Sequence, residues 1–114
     1  MELQLSTRAG RGCVVVELAG ELDMATEPAL RGLLEEILTD GDQHVVMDLG
    51  KVDFVDSTGL GLVVATYKRL LAGGGRLSLA APKRPVVGLL RLTSLDRIIA
   101  IYGTVEEAEA SLPG

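Results

Sequence analysis

The segment from Val45 to Gly61 constrains the fold more strongly than any other part of the sequence. An apolar stretch typical of a buried strand passes through a short acidic connection and reaches Ser57, where a glycine-containing helix is predicted to begin. A strand that leads into a helix favours a sheet with parallel strands, because parallel strands need long crossovers that are usually helical. The segment also places the Ser57 hydroxyl at a helix N-terminus, where unpaired N–H groups and a partial positive charge can accommodate a phosphate.

The rest of the chain continues this alternation of strands and helices. Two N-terminal strands, at 3–7 and 13–18, are joined by a glycine-containing turn and are expected to form an antiparallel hairpin. Further strands are predicted at 45–49, 77–80 and 98–102, and helices are predicted to open near residues 26, 57, 85 and 104. This order predicts an α/β fold: a mixed five-stranded sheet with parallel central strands, an antiparallel N-terminal edge and about four helices.

Length and composition indicate one compact domain over residues 1–114, with 47% hydrophobic residues. The net charge of −5 argues against a nucleic acid partner and suits a basic protein surface. Cys13 is the only cysteine, so an intramolecular disulfide is impossible, and we interpret it as a small buried hydrophobe. Neither a secretion leader nor an apolar run near the roughly 20 residues of a membrane helix is found, which predicts a cytoplasmic protein.

Two interpretations of Ser57 remain open on the residues alone. Either Asp56 or Ser57 could simply cap the helix, which is a common role for both residue types. Alternatively, Ser57 is a regulatory position, where phosphorylation adds about −1.5 to −2 charges at neutral pH. Gly59 and Gly61 also allow two explanations, since each costs on the order of 1 kcal/mol relative to alanine in a helix. They allow either close packing of the helix on the sheet or the approach of another protein.

The sequence lacks the residues that a serine nucleophile, a nucleotide-binding loop or a hydrolytic metal site would need. The residues around Ser57 lack the first glycine of a nucleophile elbow. The only histidine, His44, is expected in a solvated loop at the end of the third strand that lies away from Ser57, so it is badly placed as a base. No P-loop or complete dinucleotide fingerprint is present, and histidine ligands for a hydrolytic metal site are missing. We therefore expect a non-enzymatic protein without a cofactor.

A phospho-aspartate receiver stays open as a minor alternative, because several carboxylates follow or end predicted strands. Such a protein needs an acidic pair after its first strand and a lysine after a late strand. The acidic residues here are more loosely arranged, although Lys83 does follow the fourth strand. The carboxylates concerned are Glu21, Asp23, Asp48, Asp53 and Asp56.

Four stretches of the sequence carry a family resemblance: Gly20–Asp23, Val45–Leu49, Asp56–Gly61 and Gly73–Gly75. The most specific part is the run Asp-Ser-Thr-Gly-Leu-Gly after a strand. With these stretches the chain resembles the anti-sigma factor antagonists, which are single STAS domains of bacterial partner-switching systems, and the resemblance spans essentially the whole chain. It implies a STAS fold.

The resemblance also implies a phosphorylation switch. The unphosphorylated protein would bind an anti-sigma factor that is also a serine kinase, and so release a sigma factor. Phosphorylation of Ser57 by that kinase would end the binding, and a metal-dependent serine phosphatase would reset the switch. By analogy, the partner surface would comprise Ser57 with Glu21, Asp23, Thr26, Asp56, Thr58, Gly59 and Gly61. The alternative hypothesis is a STAS interaction module that regulates a signalling target unrelated to sigma factors.

Overall fold

The computed structural model describes residues 2–112, so the predicted domain limits at residues 1 and 114 lie outside it. Five strands are present in this range: β1 (Leu3–Ala9), β2 (Val14–Leu22), β3 (His44–Val55), β4 (Arg76–Ala80) and β5 (Ala100–Tyr102). The four α-helices are α1 (Glu27–Thr39), α2 (Ser57–Ala72), α3 (Arg84–Leu92) and α4 (Val105–Ala110). A short 3-10 helix, Leu95–Arg97, was not predicted from the sequence.

The strands form one five-stranded sheet in the order β1-β2-β3-β4-β5. β1 pairs with β2 in antiparallel orientation, and the remaining neighbours are parallel. The predicted mixed sheet with an antiparallel N-terminal edge is therefore confirmed. Because β2 and β3 run in the same direction, their carboxyl ends meet at one end of the sheet, which is where α2 begins.

The two faces of the sheet are covered unequally. One face packs against α1, α2 and α3 in a large aliphatic cluster that includes Val16 and Met47. The other face carries a smaller cluster, with Val15 and Val46 packed near α4. Successive strand residues point to opposite faces, so adjacent valines enter different clusters. This two-sided burial explains why the apolar runs in β2 and β3 do not alternate with polar residues.

β2 and β3 are both longer than predicted at their carboxyl ends. The sequence suggested a break at Gly20, yet β2 continues to Leu22 through register shifts at 17–19 and 20–21. Gly20 has φ +120°, and a Cβ at this position would lie 2.2 Å from the carbonyl oxygen of Glu2. Residues 51–55, expected as a connection, are strand because they pair with 19–22 of β2. The pairing between β2 and β3 sets where the two strands end, and the local composition of the sequence does not reveal that pairing.

Apolar residues at helical spacing in α2 and α3 are predicted to face the sheet, but two of them are exposed because each lies at the end of its helix. Leu71 of α2 is 55% exposed and Leu92 of α3 is 83% exposed. The inward residues Val63, Leu70 and Leu90 are buried as expected. β5 begins at Ala100 and not at 98, since residues 98–99 form a turn after the 3-10 helix, with both of their N–H groups bound to the Leu95 carbonyl.

The expectations for His44 and Cys13 were partly wrong. His44 is the half-buried first residue of β3, and within residues 2–112 its Nδ1 atom is buried without a hydrogen-bond partner. Cys13 is half-buried at the margin of the smaller cluster. Burial raises the pKa of the Cys13 thiol, the Glu109 carboxylate raises it further, and Arg8 opposes both. The thiol therefore stays protonated more readily than a free cysteine.

The loop before β4 depends on a glycine that allows two backbone segments to meet. A Cβ on Gly75 would lie 1.8 Å from the carbonyl oxygen of Gln43, which accepts a hydrogen bond from the Arg76 N–H at 2.9 Å. We expect Gly75→Ala to lower the free energy of unfolding by about 2–3 kcal/mol, because the backbone must move and this bond weakens. The matched control is Gly32→Ala in α1, where a Cβ meets nothing within 4 Å. Urea denaturation measures both, and equal stability of the two variants would contradict this account.

Candidate functional site

The start of α2 is capped by Asp56, which settles one of the alternatives left open by the sequence. Asp56 has extended backbone angles, and its Oδ1 accepts a hydrogen bond from the Gly59 N–H at 2.9 Å. Ser57 is the first residue of the helix and is exposed. Among residues 2–112, no hydrogen bond to the Ser57 hydroxyl is found. The capping role therefore belongs to Asp56, and the Ser57 side chain is left accessible on the first turn.

The second carboxylate oxygen of Asp56 holds the loop that connects β2 to α1. Oδ2 accepts a hydrogen bond from the Met24 N–H at 3.0 Å. The backbone N–H of Asp56 donates to the Leu22 carbonyl at 3.0 Å, one residue before the loop begins. Three hydrogen bonds of Asp56 thus tie together the end of β2, the loop at 23–26 and the first turn of α2.

The loop at 23–26 is also closed by its own side chains. Asp23 Oδ1 accepts hydrogen bonds from the N–H groups of Ala25 at 2.9 Å and Thr26 at 3.0 Å. The Thr26 hydroxyl donates to the Glu21 carbonyl at 2.8 Å and accepts from the Asp23 N–H at 3.0 Å. A threonine followed by Glu27-Pro28 is typical of a capped helix start, but Thr26 at the N-cap position of α1 makes no cap hydrogen bond. Its buried hydroxyl instead stabilises the turn.

Gly59 and Gly61 play different roles, which the sequence could not separate. Gly59 is buried, and a Cβ there would lie 2.6 Å from Leu22 Cγ and 3.0 Å from the Leu22 carbonyl oxygen. Close packing against the end of β2 therefore requires glycine at 59. Gly61 is exposed, and a Cβ there would meet nothing within 4 Å. No contact among the described residues requires glycine at 61.

The structure brings all eight residues of the predicted partner surface to one end of the sheet, although they differ in accessibility. Ser57 and Gly61 are exposed. Thr26 and Gly59 are buried, and both contact the end of β2. The half-buried members are Glu21, Asp23, Asp56 and Thr58. The role of all eight residues in binding stays a prediction.

Sequence reasoning missed two large apolar side chains beside this group. Met24 is 74% exposed in the loop at 23–26, and Phe54 is 50% exposed near the end of β3. A signal was available for Met24, because it is a long apolar residue in a turn of otherwise small and polar residues. Phe54 lies beside the register shift at 20–21, and its exposure could not be predicted without the pairing of β2 with β3.

The carboxylates considered for a phospho-aspartate receiver are not arranged as that site requires. Within residues 2–112, no group of three or more His, Cys, Asp or Glu side chains could hold a metal ion. Asp48 accepts a hydrogen bond from the Gly50 N–H at 3.0 Å, and Asp23 is engaged in its own turn. Lys83 pairs with Asp53 at 2.5 Å on the surface. In the same range, no helix is long and apolar enough to cross a membrane.

The sequence and this geometry have clear relatives. A family model for the STAS domain matches residues 4–108. The chain is 34% identical to the anti-sigma F factor antagonist of Paenibacillus polymyxa over 103 residues, which cover 90% of this chain and 88% of the relative. The chain is a STAS domain of the anti-sigma factor antagonist family. The resemblance stated from the sequence is thereby confirmed.

Two solved structures share the fold of this STAS domain. One is an anti-sigma factor antagonist from Mycobacterium paratuberculosis, with a TM-score of 0.89, 29% identity, and coverage of 96% of this chain and 93% of that chain. The other is the Bacillus cell fate determinant SpoIIAA in its phosphorylated form, with a TM-score of 0.72, 28% identity, and coverage of 94% and 96%. The predicted STAS fold is confirmed by this similarity over nearly the full length.

The two glycines of α2 should respond oppositely to alanine. We expect Gly59→Ala to destabilise this STAS domain by about 1–3 kcal/mol, since the methyl group would overlap Leu22. Gly61→Ala should stabilise it by roughly 0.5–1 kcal/mol, because alanine loses less backbone entropy in a helix and nothing blocks its methyl group. Thermal and urea unfolding measure both changes. A destabilised Gly61→Ala variant would show that glycine at 61 has an internal structural role.

Removal of the Asp56 carboxylate should loosen the loop and the helix together. We expect Asp56→Ala to cost about 1–2 kcal/mol of stability, because the Gly59 and Met24 N–H groups lose their acceptor. Amide hydrogen exchange at both groups should accelerate. The control is Asp42→Ala in the exposed loop before β3, which should stay within about 0.5 kcal/mol of wild type. Unchanged exchange at Met24 in Asp56→Ala would refute the bridging role.

Proposed function

We propose that this STAS domain is a phosphorylation-controlled antagonist of an anti-sigma factor that is itself a serine kinase. The unphosphorylated form binds the kinase and so releases a sigma factor, and phosphorylation of Ser57 ends the binding. A metal-dependent serine phosphatase returns Ser57 to its free form. The observation that carries the proposal is the exposed Ser57 side chain on the first turn of α2, where Asp56 already performs the capping.

Phosphorylation at Ser57 is compatible with the fold. Because the cap is provided by the neighbouring residue, modification of the Ser57 hydroxyl removes no hydrogen bond on which the helix depends. The N-terminal end of a helix also favours negative charge, by typically 0.3–1 kcal/mol at exposed positions. The Asp56 carboxylate next to it opposes the phosphate by like-charge repulsion, so the two effects partly cancel. We therefore expect the modified protein to stay folded.

The phosphate acts mainly on the interface. It adds about −1.5 to −2 charges at neutral pH in the middle of the predicted partner surface. A partner that covers Ser57 must strip water from this dianion, which costs several kcal/mol unless a new cation compensates it. About 1.4 kcal/mol already changes affinity tenfold, so one modification is sufficient to separate the complex. The existence of a phosphorylated form of the relative SpoIIAA supports this proposal.

We further propose that the protein catalyses no reaction of its own. The only histidine, His44, begins β3, whereas Ser57 follows the opposite end of that strand. At about 3.3 Å per residue, a strand of this length separates the two side chains by on the order of 30 Å. His44 cannot accept the Ser57 proton at such a distance, since a general base must lie within hydrogen-bond reach.

The test uses purified protein with each recombinant anti-sigma factor kinase encoded in the source genome. With ATP and Mg²⁺, we expect phosphorylation of wild type at Ser57 alone, as located by tandem mass spectrometry. Ser57→Ala should bind the kinase without being modified, and Ser57→Asp should bind at least tenfold more weakly in calorimetry. Ser94→Asp adds the same charge in the connection after α3, and it should bind like wild type.

Three outcomes would contradict the proposal. Modification of Thr58 in place of Ser57, checked with Thr58→Ala, would show that the switch residue is Thr58 and that the proposal names the wrong residue. Equal binding of Ser57→Ala and Ser57→Asp would show that the residue is not part of a switch. If no anti-sigma kinase binds wild type while another signalling protein does so, the chain is instead a STAS interaction module for a target unrelated to sigma factors.

A further inference from the structure

Met24 combines a fixed backbone with a free side chain. Its side chain is 74% exposed, yet its N–H is bound to Asp56 Oδ2 at 3.0 Å. The residues on either side are held as well, because Asp23 Oδ1 accepts the N–H groups of Ala25 and Thr26. Such a loop presents its apolar side chain without a large further loss of backbone entropy on binding. Methionine is among the residues enriched at protein interfaces, so a methionine held in this way is available to contact another molecule.

The position of Met24 connects it to the predicted switch. Asp56, which binds the Met24 N–H, is the residue directly before Ser57 and caps the helix on which Ser57 lies. A partner that covers the Met24 side chain must therefore also approach Ser57. The exposed Gly61, one turn along the helix, leaves room for such an approach.

Charges around Met24 indicate the chemistry of that partner. Two carboxylates contact the loop backbone, because Asp23 Oδ1 accepts the Ala25 N–H and Asp56 Oδ2 accepts the Met24 N–H. Glu21 adds a third acidic residue near the end of β2, just before the loop. Asp53, near the end of β3, is paired with Lys83 on the surface. A complementary surface has an apolar pocket for the methionine and arginine or lysine side chains around it.

We propose that Met24 is the apolar anchor by which the anti-sigma factor recognises this chain, in an apolar pocket rimmed by basic side chains. This inference rests on the proposed function and adds to it the residue that carries specificity. Full burial of a methionine side chain changes affinity by about ten- to a hundredfold. The flexible thioether also adapts to the shape of a pocket better than a branched side chain does.

The proposal makes the effect of phosphorylation depend on Met24. When Met24 is seated in the pocket, the partner surface closes over Ser57 and excludes water from it. A negative charge at Ser57 is then most unfavourable, because its hydration is lost. When Met24 is truncated, the contact beside Ser57 loosens, water remains, and the same charge disturbs binding less. Ser57 and Met24 should therefore be coupled energetically.

The experiment is calorimetric titration of the recombinant anti-sigma factor kinases of the source genome with a set of variants. We expect Met24→Ala to weaken binding at least tenfold without a change in melting temperature, and Met24→Leu to retain binding within about threefold. Met24→Lys should bind more weakly than Met24→Gln, because the basic side chains around the partner's pocket would repel a lysine. Leu92→Ala is the matched control, since Leu92 is 83% exposed at the far end of α3, and it should bind like wild type.

The outcomes separate this inference from the proposed function. If Met24→Ala binds like wild type while Ser57→Asp does not, the anchor is wrong and the switch survives. If Ser57→Asp weakens binding by the same factor with and without Met24→Ala, the coupling is absent and the anchor does not act on the switch. If no kinase binds wild type, both proposals are overturned. If wild type forms a dimer that Met24→Ala abolishes, Met24 belongs to self-association and the inference is overturned.

Discussion

The Asp56 carboxylate makes the two hydrogen bonds on which the geometry of the site depends. One oxygen accepts the Gly59 N–H and so fixes where α2 begins, and the other accepts the Met24 N–H and so fixes the loop after β2. An ionised acceptor makes these bonds stronger than neutral ones. The same carboxylate thus positions the serine that follows it and the methionine that faces solvent. A single side chain sets both the helix start and the shape of the surrounding surface.

The sheet explains why this site projects from the body of the domain. β4 pairs with β3 only as far as Asp48, whereas β3 continues to Val55 alongside β2. Beyond the end of β4, β2 and β3 continue together and β1 accompanies β2 only as far as Gly20, so residues 21–22 and 54–55 form a short two-stranded extension. The extra residues at the two register shifts lie in β3, and such bulges increase the local twist. α2 starts from the tip of this extension, so its first turn lies at the margin of the sheet. Side chains there are accessible to a large partner, although the same helix is anchored in the core farther along, through Val63 and Leu70.

Residues near Ser57 divide into those that shape the surface and those that form it. Thr26 and Gly59 are buried, and each meets the end of β2: the Thr26 hydroxyl binds the Glu21 carbonyl, and Gly59 leaves space for Leu22. Their loss would alter binding indirectly, by moving the loop or the helix. Ser57, Gly61 and Met24 are exposed and can touch a partner directly. A binding measurement on any of these positions therefore needs a stability measurement beside it.

Patterns in the sequence were sufficient to predict the element order, the mixed sheet, the helix start at Ser57 and the family, because apolar periodicity and glycine-rich turns are local signals. The extension of β2 past Gly20 and of β3 past Leu49 escaped it, since strand pairing is not encoded in a short window. The folded structure was needed to show that Asp56 and not Ser57 is the cap, and that Gly59 is needed for packing while Gly61 is not. It was also needed to show that Met24 faces solvent while its N–H is bound to Asp56. The packing of Gly59 on Leu22 and the position of Met24 depend on contacts between residues far apart in the chain, such as the 32-residue separation of Met24 and Asp56. The cap is a local contact, but aspartate and serine are both common cap residues, so residue type alone does not choose between Asp56 and Ser57. Composition and spacing cannot supply that information, because burial and hydrogen bonding are properties of the folded neighbours.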